Sequence, residues 1–572
     1  MKWSKTKRGC DIAMCILKNI NPTYMFILMA VVMLGGWLGS RGLNEPDEGR
    51  FAELGREMAL QGNWLVPHLN GVPHFQKPPL TYWLTATFIR FLGTNEWSVR
   101  LTPALAALGT LICTMLIAGI LYGQACRWKA GLILLTSILF FGIARIITTD
   151  MLLTFWITAA ITALVSYVWQ GKKTGLFIFY LAMGLGFLTK GPLGILIPAM
   201  TGLGIQAGRR LERKHIPRMY WLSGLPISLL IGLSWYLAMF HHDKSLFDYF
   251  FRYEFIDRIA TNTHNRSKPF WFYPGVMALG LVPWTGFAIV MARDLWHRRR
   301  NLTIANASLF CGWVVAPYII LSLTSSKLAT YVLPLMPPLA IMIARWFDLP
   351  TTGTRWRRPA QLTALTQGML FLSFPVLRHV FSNRQFPGEN LDVAFYTIII
   401  LAIGSFLILA IALAKNISLP RFMLWMATTW GVAILSLISQ ADKLMDGGNA
   451  SVRTAAEFIQ QADPENTAAV MVFGTRSHGM EFYLQRYVYR GYTKSDVVLP
   501  LNGEQRERIT QNEFETVRAF TNAPAFVFIK ESNYRQQSCF ANWHILLRTG
   551  RAVLLGNPQA VTLATKKENR RK

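Results

Sequence analysis

The chain has 572 residues, of which 52% are hydrophobic and 15% charged, with a mean hydropathy of +0.30 and a formal net charge of +28. An average soluble domain carries roughly 25% charged residues, so this composition excludes a soluble multidomain protein and indicates a polytopic membrane protein. Because Lys and Arg are concentrated in alternate short loops, we expect their partner to be the lipid bilayer and no nucleic acid.

Long apolar runs divide the first 440 residues into candidate membrane-spanning helices, since a span needs about 20 apolar residues. Thirteen are predicted, near 24–40, 100–123, 129–144, 150–169, 175–189, 192–207, 218–240, 272–292, 304–324, 328–345, 361–380, 394–414 and 421–440. The sequence therefore predicts a helical membrane domain over residues 1–440.

Basic residues orient these spans. They cluster before the first span and in three later loops, near 209–218, 293–300 and 345–358. All four clusters fall on one side of the membrane if the thirteen spans are counted correctly, and the positive-inside rule assigns that side to the cytoplasm. We expect the periplasmic side to carry 41–99, the turns at Asp150 and Lys190, 241–271, 325–327, 381–393 and everything after 440.

Two amphipathic helices are predicted in the long outer segment 41–98. In residues 47–60, the apolar Phe51, Leu54 and Met58 fall on one face and the charges on the other, which we expect to be exposed. Residues 79–92 form a second, more apolar helix that suits the membrane interface.

After residue 440 the chain becomes more polar and its apolar runs shorten. Short strands are predicted at 468–473 and 525–529, and helices at 452–461 and 478–486. This alternation predicts a small α/β domain over 441–572. It ends in a charge run at 566–572 that we expect to be a disordered basic tail.

The first polar stretch, Asn44 to Leu54, places four acids and an arginine directly after the first apolar run. Asp47 and Glu48 open the predicted helix there. Acids are common at helix N-termini, which gives them a structural interpretation. Charge beside a membrane span is costly to place, however, and usually marks function, so a carboxylate facing a sugar carbon or acceptor oxygen is the functional alternative.

A second polar stretch, His74 to Leu80, holds Gln76 and Lys77 before two prolines. Because prolines restrict the backbone, Lys77 is held in place and suits a phosphate group; an interfacial anchor is the alternative. Asp150 and Lys190 lie in tight turns on the same outer side. We predict that the two polar stretches and these turns form one site.

Two further outer segments carry candidate ligand-binding residues. The loop 241–271 is basic and edged by aromatic residues, which suits a lipid phosphate or equally an aromatic belt; Arg258 and His264 are its candidates. The turn at 325–331 contributes Lys327 and Tyr331. The histidines of the loop 241–271 lack the spacing of a metal site, and the six cysteines of the chain form no paired motif. No nucleotide-binding motif is present, so no metal and no cofactor are expected.

These stretches resemble a known family. Residues 46–53, the following 62–67 and 75–79, Thr189-Lys190-Gly191-Pro192, and Ser326-Lys327-Leu328 with Tyr331 look like the bacterial lipid A aminoarabinose transferases. Those enzymes are GT-C glycosyltransferases related to the protein mannosyltransferases. The resemblance covers about 40–340 by motif and the carboxyl-terminal domain only in placement.

The resemblance implies thirteen membrane helices, a periplasmic domain and transfer of a sugar from undecaprenyl phosphate to lipid A phosphate at the inner membrane. It implies that Asp47 is an essential carboxylate and that Lys77 and Lys190 contact phosphate. Asp150 and Arg258 match the pattern more loosely.

One position departs from the family pattern. Glu usually precedes the lysine of the second stretch, whereas this chain has Gln76, which cannot ionise. A neutral sugar, or another periplasmic acceptor such as a surface polysaccharide or a protein, is therefore an alternative to aminoarabinose and lipid A. A lipid flippase is a further alternative, but it should carry its charges at mid-membrane on broken helices rather than in one outer layer.

Overall fold

The structure is a computed structural model. It describes residues 22–250, 268–297, 303–349 except 325, short stretches between 356 and 431, and 451–571 except 493–496, 521 and 551. The predicted spans at 361–380, 394–414 and 421–440 lie largely outside the described residues.

The first ten predicted spans coincide with helices. The helices of this part of the chain are Pro22–Gly35, Asp47–Gln61, Leu80–Leu92, Glu96–Tyr122, Gln124–Thr136, Ile138–Ile143, Thr149–Gln170, Thr174–Lys190, Leu193–Leu211, Trp221–His242, Leu246–Asp248, Phe272–Gly280, Thr285–His297, Ile304–Leu323 and Ala329–Phe347. The predicted helices at 47–60 and 79–92 are also confirmed, each to within one residue at either end.

Five helices in the described part of the chain are long and apolar enough to cross a membrane. They are Glu96–Tyr122, Thr149–Gln170, Trp221–His242, Ile304–Leu323 and Ala329–Phe347. The pair Phe272–Gly280 and Thr285–Leu295, bent by 119°, would make a sixth span if the two helices cross as one. The total of thirteen therefore stays a prediction.

A close helix crossing positions the turn at Lys190. Thr174–Lys190 and Leu193–Leu211 pack backbone to backbone, because a Cβ added at Gly194 would lie 2.2 Å from the carbonyl carbon of Gly186. Between them, Gly191 has φ +91°, a conformation that favours glycine. Thr174–Lys190 also packs along Thr149–Gln170. These glycines therefore allow the tight turn between Lys190, where one helix ends, and Leu193, where the next begins.

The helix Asp47–Gln61 differs from the expectation that one face is exposed. Four of its charged residues, Glu48, Glu53, Arg56 and Glu57, are buried, as are the apolar residues on the opposite face. The reason is that the carboxyl-terminal unit covers the second face, where Phe482 joins the same apolar cluster. Isolated helical periodicity cannot reveal a covering element that comes from more than 400 residues away.

The predicted strands and helices after residue 450 are confirmed, with additional strands. Helices span Arg453–Ala462, Gly479–Leu484, Gly503–Arg508, Glu513–Ala519, Glu531–Tyr534 and Pro558–Arg571. Strands are β3 (Ala469–Phe473), β4 (Tyr489–Gly491), β5 (Ile509–Thr510), β6 (Ala525–Lys530), β7 (His544–Thr549) and β8 (Ala552–Gly556), while β1 (His68–Leu69) and β2 (Val72–Pro73) form a separate hairpin.

The sheet is ordered β5-β4-β3-β6-β8-β7. Its first four strands are mutually parallel, and β8 and β7 add antiparallel pairs at one side. The central strands are buried on both faces, as expected for parallel strands covered by helices. The expectation of a disordered basic tail at 566–572 is wrong for most of that run, because the helix Pro558–Arg571 continues through it.

Candidate active site

The two polar stretches meet through Arg50. Asp47 stands at the start of its helix with its side chain 59% exposed and forms an ion pair with Arg50 at 2.6 Å. Arg50 donates a second hydrogen bond, at 3.0 Å, to the Gln76 side-chain oxygen. The carboxylate, guanidinium and amide thus form one connected polar group, which is the juxtaposition that the sequence predicted without assigning a part to Arg50.

Glu48 lies beneath this group rather than in it. Its carboxylate is fully buried and accepts hydrogen bonds from the guanidinium groups of Arg41 and Arg100, at 2.6–3.2 Å. It also accepts from the backbone N–H of Asn44 at 2.9 Å and of Ile147 at 3.2 Å. The expectation that Glu48 binds substrate is therefore corrected: its oxygens are already occupied, and it joins segments 41–48 and 145–147.

The electrostatics of Glu48 agree with that structural position. Burial alone would raise the pKa of its carboxyl, but Arg100 and Arg41 hold the pKa at about 2. Arg100 was missed as a functional candidate, although a single cation at the head of an otherwise apolar run is a signal available in the sequence.

The second stretch is fixed by aromatic packing. Phe75 is fully buried and packs edge to face against Phe250, with ring centroids 6.3 Å apart. It shares an apolar cluster with Leu188 and Trp235, and the Trp235 indole donates to the Leu65 carbonyl at 2.8 Å. Gln76 and Lys77, both half-buried, follow this anchor directly. Phe75 and Leu188 thereby bring the second polar stretch close to the turn at residue 190.

His74 is a site residue that sequence reasoning left out. It is buried, and neither ring nitrogen has a hydrogen-bond partner within the described part of the chain. Burial, with Arg50 and Lys77 nearby, lowers the pKa of His74 to about 3. The ring is therefore neutral beside two cations, and it retains one donor and one acceptor nitrogen.

Asp150 and Lys190 form the other half of the candidate site. Their side chains make a short ion pair, and each is about a tenth exposed, 10% and 11% respectively. The ammonium also lies 4.6 Å from the centroid of the Tyr331 ring, within cation–π range. Three of the predicted residues are thus in contact, and Lys190 is rigidly held.

Lys327 lies on the same segment as Tyr331. It is buried, with 8% of its surface exposed, and precedes the tight helical turn that begins at Ala329. Trp313 donates to the Pro334 carbonyl at 3.1 Å and fixes this turn. Arg258 and His264, the candidates from the loop 241–271, lie outside the described residues.

Glu45 connects this end of the helical bundle to the sheet. Its carboxyl accepts from the backbone N–H of His478 at 3.0 Å and of Gly479 at 2.5 Å. Burial raises the pKa of Glu45 to about 8, against the lowering influence of these N–H groups and Arg490. Glu45 stands two residues before Asp47, so the carboxyl-terminal unit fixes the segment that presents Asp47.

Together these contacts describe a site with two charged groups at one end of the bundle. One is the exposed Asp47 with Arg50 and Gln76, which Lys77 follows in the chain; the other is the buried pair Asp150–Lys190, beside the ring of Tyr331. Cations held in a partly buried setting can stabilise charge that develops on a phosphate. An exposed carboxylate beside them can orient a hydroxylated or cationic substrate.

The sequence of the chain is similar to those of known sugar-transferring proteins. Residues 76–236 match the family described as dolichyl-phosphate-mannose-protein mannosyltransferase. The chain is 34% identical over 331 residues, 56% of this chain and 57% of the relative, to the undecaprenyl phosphate-alpha-4-amino-4-deoxy-L-arabinose arabinosyl transferase of Edwardsiella ictaluri. It is 31% identical over 394 residues, 67% of this chain and 69% of the relative, to that of Pectobacterium atrosepticum.

A solved structure has the same fold. The crystal structure of ArnT from Cupriavidus metallidurans bound to undecaprenyl phosphate matches with a TM-score of 0.76 at 22% identity, covering 94% of this chain and 98% of that one. The apo structure of the same protein gives a TM-score of 0.75. The fold of that protein therefore extends over nearly the whole of this chain, whereas the alignment with the Edwardsiella relative spans little more than half of that relative's length.

Proposed function

The chain belongs to the family of undecaprenyl phosphate-alpha-4-amino-4-deoxy-L-arabinose arabinosyl transferases. From that premise we propose that it is an integral inner-membrane glycosyltransferase that moves 4-amino-4-deoxy-L-arabinose from undecaprenyl phosphate to a phosphate group of lipid A. The observation that carries the proposal is an exposed carboxylate, Asp47, paired with Arg50 beside Gln76, together with a second cation, Lys190, that Asp150 and Tyr331 hold.

The reaction needs no strong base. A phosphate oxygen of the acceptor, ionised at neutral pH, attacks the anomeric carbon, and the bond from that carbon to the carrier phosphate breaks. The electron pair of that bond leaves with undecaprenyl phosphate. Because the acceptor attacks from the opposite face, the configuration at the anomeric carbon inverts. Lys77 and Lys190 stabilise the growing charge on the leaving phosphate. Asp47 orients the sugar through its amino group or hydroxyls, and Asp150 fixes Lys190.

The proposal includes a membrane arrangement. Thirteen helices over 1–440 hold the site at the periplasmic surface, and the α/β unit of 441–572 lies in the periplasm. The basic loops assign the sides. A reporter fused after Gln440 should signal from the periplasm, and one fused after Arg300 from the cytoplasm. A cytoplasmic signal from the first fusion would separate the α/β unit from the proposed site and overturn the arrangement.

The direct test uses purified protein with a synthetic donor and lipid A. Transfer should give lipid A heavier by one sugar in mass spectra, and lipid A from cells lacking the gene should lose that species. A matched pair of variants, Lys77→Ala and Lys190→Ala, should each lower the rate roughly 100-fold while the protein stays folded, as for removal of one donor to developing charge. Near-normal transfer in either variant would reassign that lysine to anchoring.

A neutral sugar is the second candidate donor. Gln76 carries no charge and its oxygen already accepts from Arg50, so it supplies no counter-ion for a sugar ammonium. Wild type and Gln76→Glu should be offered donors that carry an amino sugar or a neutral sugar. A neutral-sugar enzyme prefers the neutral donor and shifts toward the amino sugar in Gln76→Glu. Exclusive use of the amino sugar by both proteins would exclude this candidate.

A further inference from the structure

A cavity of about 440 Å³ lies in the carboxyl-terminal unit, beside the segment that leads into the proposed transfer site. Its lining includes Gly474, Thr475 and Arg476 after β3, Tyr492 after β4, and Lys530 at the end of β6. These positions are all at the carboxyl ends of parallel strands. The volume is within the range of about 300–1,000 Å³ that is usual for small-molecule sites.

The strand order explains why a cleft opens there. From β3 the chain adds β4 and then β5 on one side, and it returns to place β6 on the opposite side of β3. After β6 the chain continues to β7 and β8 on the far side, so the connections that follow β3 and β6 leave in opposite directions. In open parallel sheets, ligands bind at such a point, outside the carboxyl ends of the two strands.

The lining has an excess of positive charge. Arg476 and Lys530 are both exposed, on adjacent strands, and neither forms an ion pair within the described part of the chain. Arg490 adds a third cation that Glu481 and the Ser477 carbonyl hold in place. Glu513 is the acid in the lining; it accepts from the Gly474 N–H at 3.3 Å, and burial raises the pKa of its carboxyl.

A buried imidazole gives independent evidence of a ligand. His478 lines the cavity and is 6% exposed, and its Nδ1 has no hydrogen-bond partner within the described residues. Leaving a buried polar atom without a partner is costly, and such atoms are few in folded proteins. The backbone N–H groups of His478 and Gly479 are already taken by Glu45, so a ligand would meet the side chains rather than the helix start.

We propose that this cleft binds a phosphorylated sugar, with its phosphate monoester between Arg476 and Lys530 and its ring toward His478 and Tyr492. Charge-assisted hydrogen bonds from arginine and lysine to phosphate are among the strongest in proteins. The volume of the cleft is sufficient for the headgroup of a sugar phosphate. The phosphate belongs either to a glycolipid headgroup or to a free sugar phosphate.

The cleft is also linked to the transfer site through the hairpin β1–β2. Leu69, Asn70 and Val72 form one wall of the cleft. The Asn70 amide pairs with the Val488 backbone, donating at 2.9 Å and accepting at 3.1 Å. The hairpin runs directly into His74, so a ligand against this wall contacts the segment that carries Gln76 and Lys77.

The test measures hydrogen–deuterium exchange of residues 474–479 in full-length protein in detergent. All measurements start from the double variant Lys77→Ala/Lys190→Ala. This variant lacks two cations of the transfer site, and the measurement of exchange does not depend on sugar transfer. Glucosamine 1-phosphate should protect this segment. Adding Arg476→Ala and Lys530→Ala should weaken the apparent affinity at least roughly tenfold, since hydrogen bonds to charged groups contribute about 1.5–3 kcal/mol each. Arg535→Ala, an exposed arginine outside the lining, is the matched control and should leave protection unchanged.

The probes separate the two sources of the phosphate. Stronger protection of residues 474–479 by vesicles containing lipid A than by vesicles containing dephosphorylated lipid A indicates a glycolipid headgroup. Protection by soluble glucosamine 1-phosphate that is as strong as protection by lipid A indicates a free sugar phosphate. Either result supports the cleft as a sugar-phosphate site. Equal protection by the dephosphorylated lipid, inorganic phosphate binding as tightly as the sugar phosphate, or full protection without Arg476 and Lys530 would each overturn it.

Discussion

Replacing Glu48 by glutamine should destabilise the protein without touching substrate. The change keeps the side-chain shape but removes the charge that pairs with Arg41 and Arg100, whose side chains are 10% and 1% exposed. It also replaces one carboxylate oxygen, which accepts hydrogen bonds in the wild type, by an amide N–H₂ group that cannot accept them. Breaking a buried ion pair from one side typically costs about 3–5 kcal/mol, because the remaining charge stays buried.

The acidity of Glu48 gives a second estimate of the same effect. Its pKa is lowered from 4.5 to about 2, which corresponds to about 3 kcal/mol in favour of the ionised folded form. Because the folded pKa is below the ordinary value, this stabilisation is present above about pH 4.5 and is lost as the pH falls toward 2. At neutral pH it is therefore fully present.

The assay is thermal unfolding of the full-length protein in detergent, followed by tryptophan fluorescence. From the usual 2–4 °C per kcal/mol, we expect the apparent melting temperature of Glu48→Gln to fall by about 6–20 °C. The matched control is the neighbouring Asp47→Asn, which alters a carboxylate that is 59% exposed and should change stability by less than about 0.5 kcal/mol while abolishing transfer. Wild-type melting of Glu48→Gln would refute the assignment of Glu48 as a structural centre.

Two further changes test the other half of the site. Lys190→Ala removes the ammonium that Asp150 holds, so Asp150→Asn should have little further effect on the rate of transfer. The double variant should therefore transfer sugar at nearly the rate of Lys190→Ala alone. Additive losses of rate would mean that Asp150 acts separately. Gly194→Ala should destabilise by about 1–3 kcal/mol in thermal unfolding, because its methyl group meets the backbone of Gly186 at 2.2 Å. Gly142→Ala, where the added carbon has nothing within 4 Å, is the control and should be neutral.

Local patterns were sufficient to predict most helices and which charged residues of the candidate site come together. Ten predicted apolar runs coincide with helices, and the shared sidedness of charge placed Asp47 near Gln76 and Lys190 near Asp150. Short apolar runs also located β3 and β6. These predictions rest on periodicity and span length, which are properties of contiguous sequence.

The remaining features depend on contacts between distant segments. Adjacent acids such as Asp47 and Glu48 look alike in a sequence, and only the approach of Arg41, Arg100 and residue 147 decides which one is buried. The strands β4 and β5 are too short, at three and two residues, to show a period. The burial of the helix Asp47–Gln61 likewise depends on a covering unit that follows more than 400 residues later.

Glu45 offers the last prediction, because it is one of the contacts through which that covering unit meets the segment before Asp47. Burial raises the pKa of Glu45 from 4.5 to about 8, while Arg490 opposes the rise and Glu481 adds to it. Between those values the folded state keeps a proton that the unfolded chain has lost, so stability falls as the pH rises from about 4.5 to 8.

Glutamine mimics the protonated carboxyl and cannot titrate. Glu45→Gln should therefore gain stability relative to wild type as unfolding is measured from pH 5 to 8, with Glu504→Gln, an acid whose side chain is 77% exposed, as the control that follows wild type. Parallel curves for Glu45→Gln and wild type would mean that the Glu45 carboxyl is ionised when it binds the N–H groups of His478 and Gly479, and that this junction does not respond to pH.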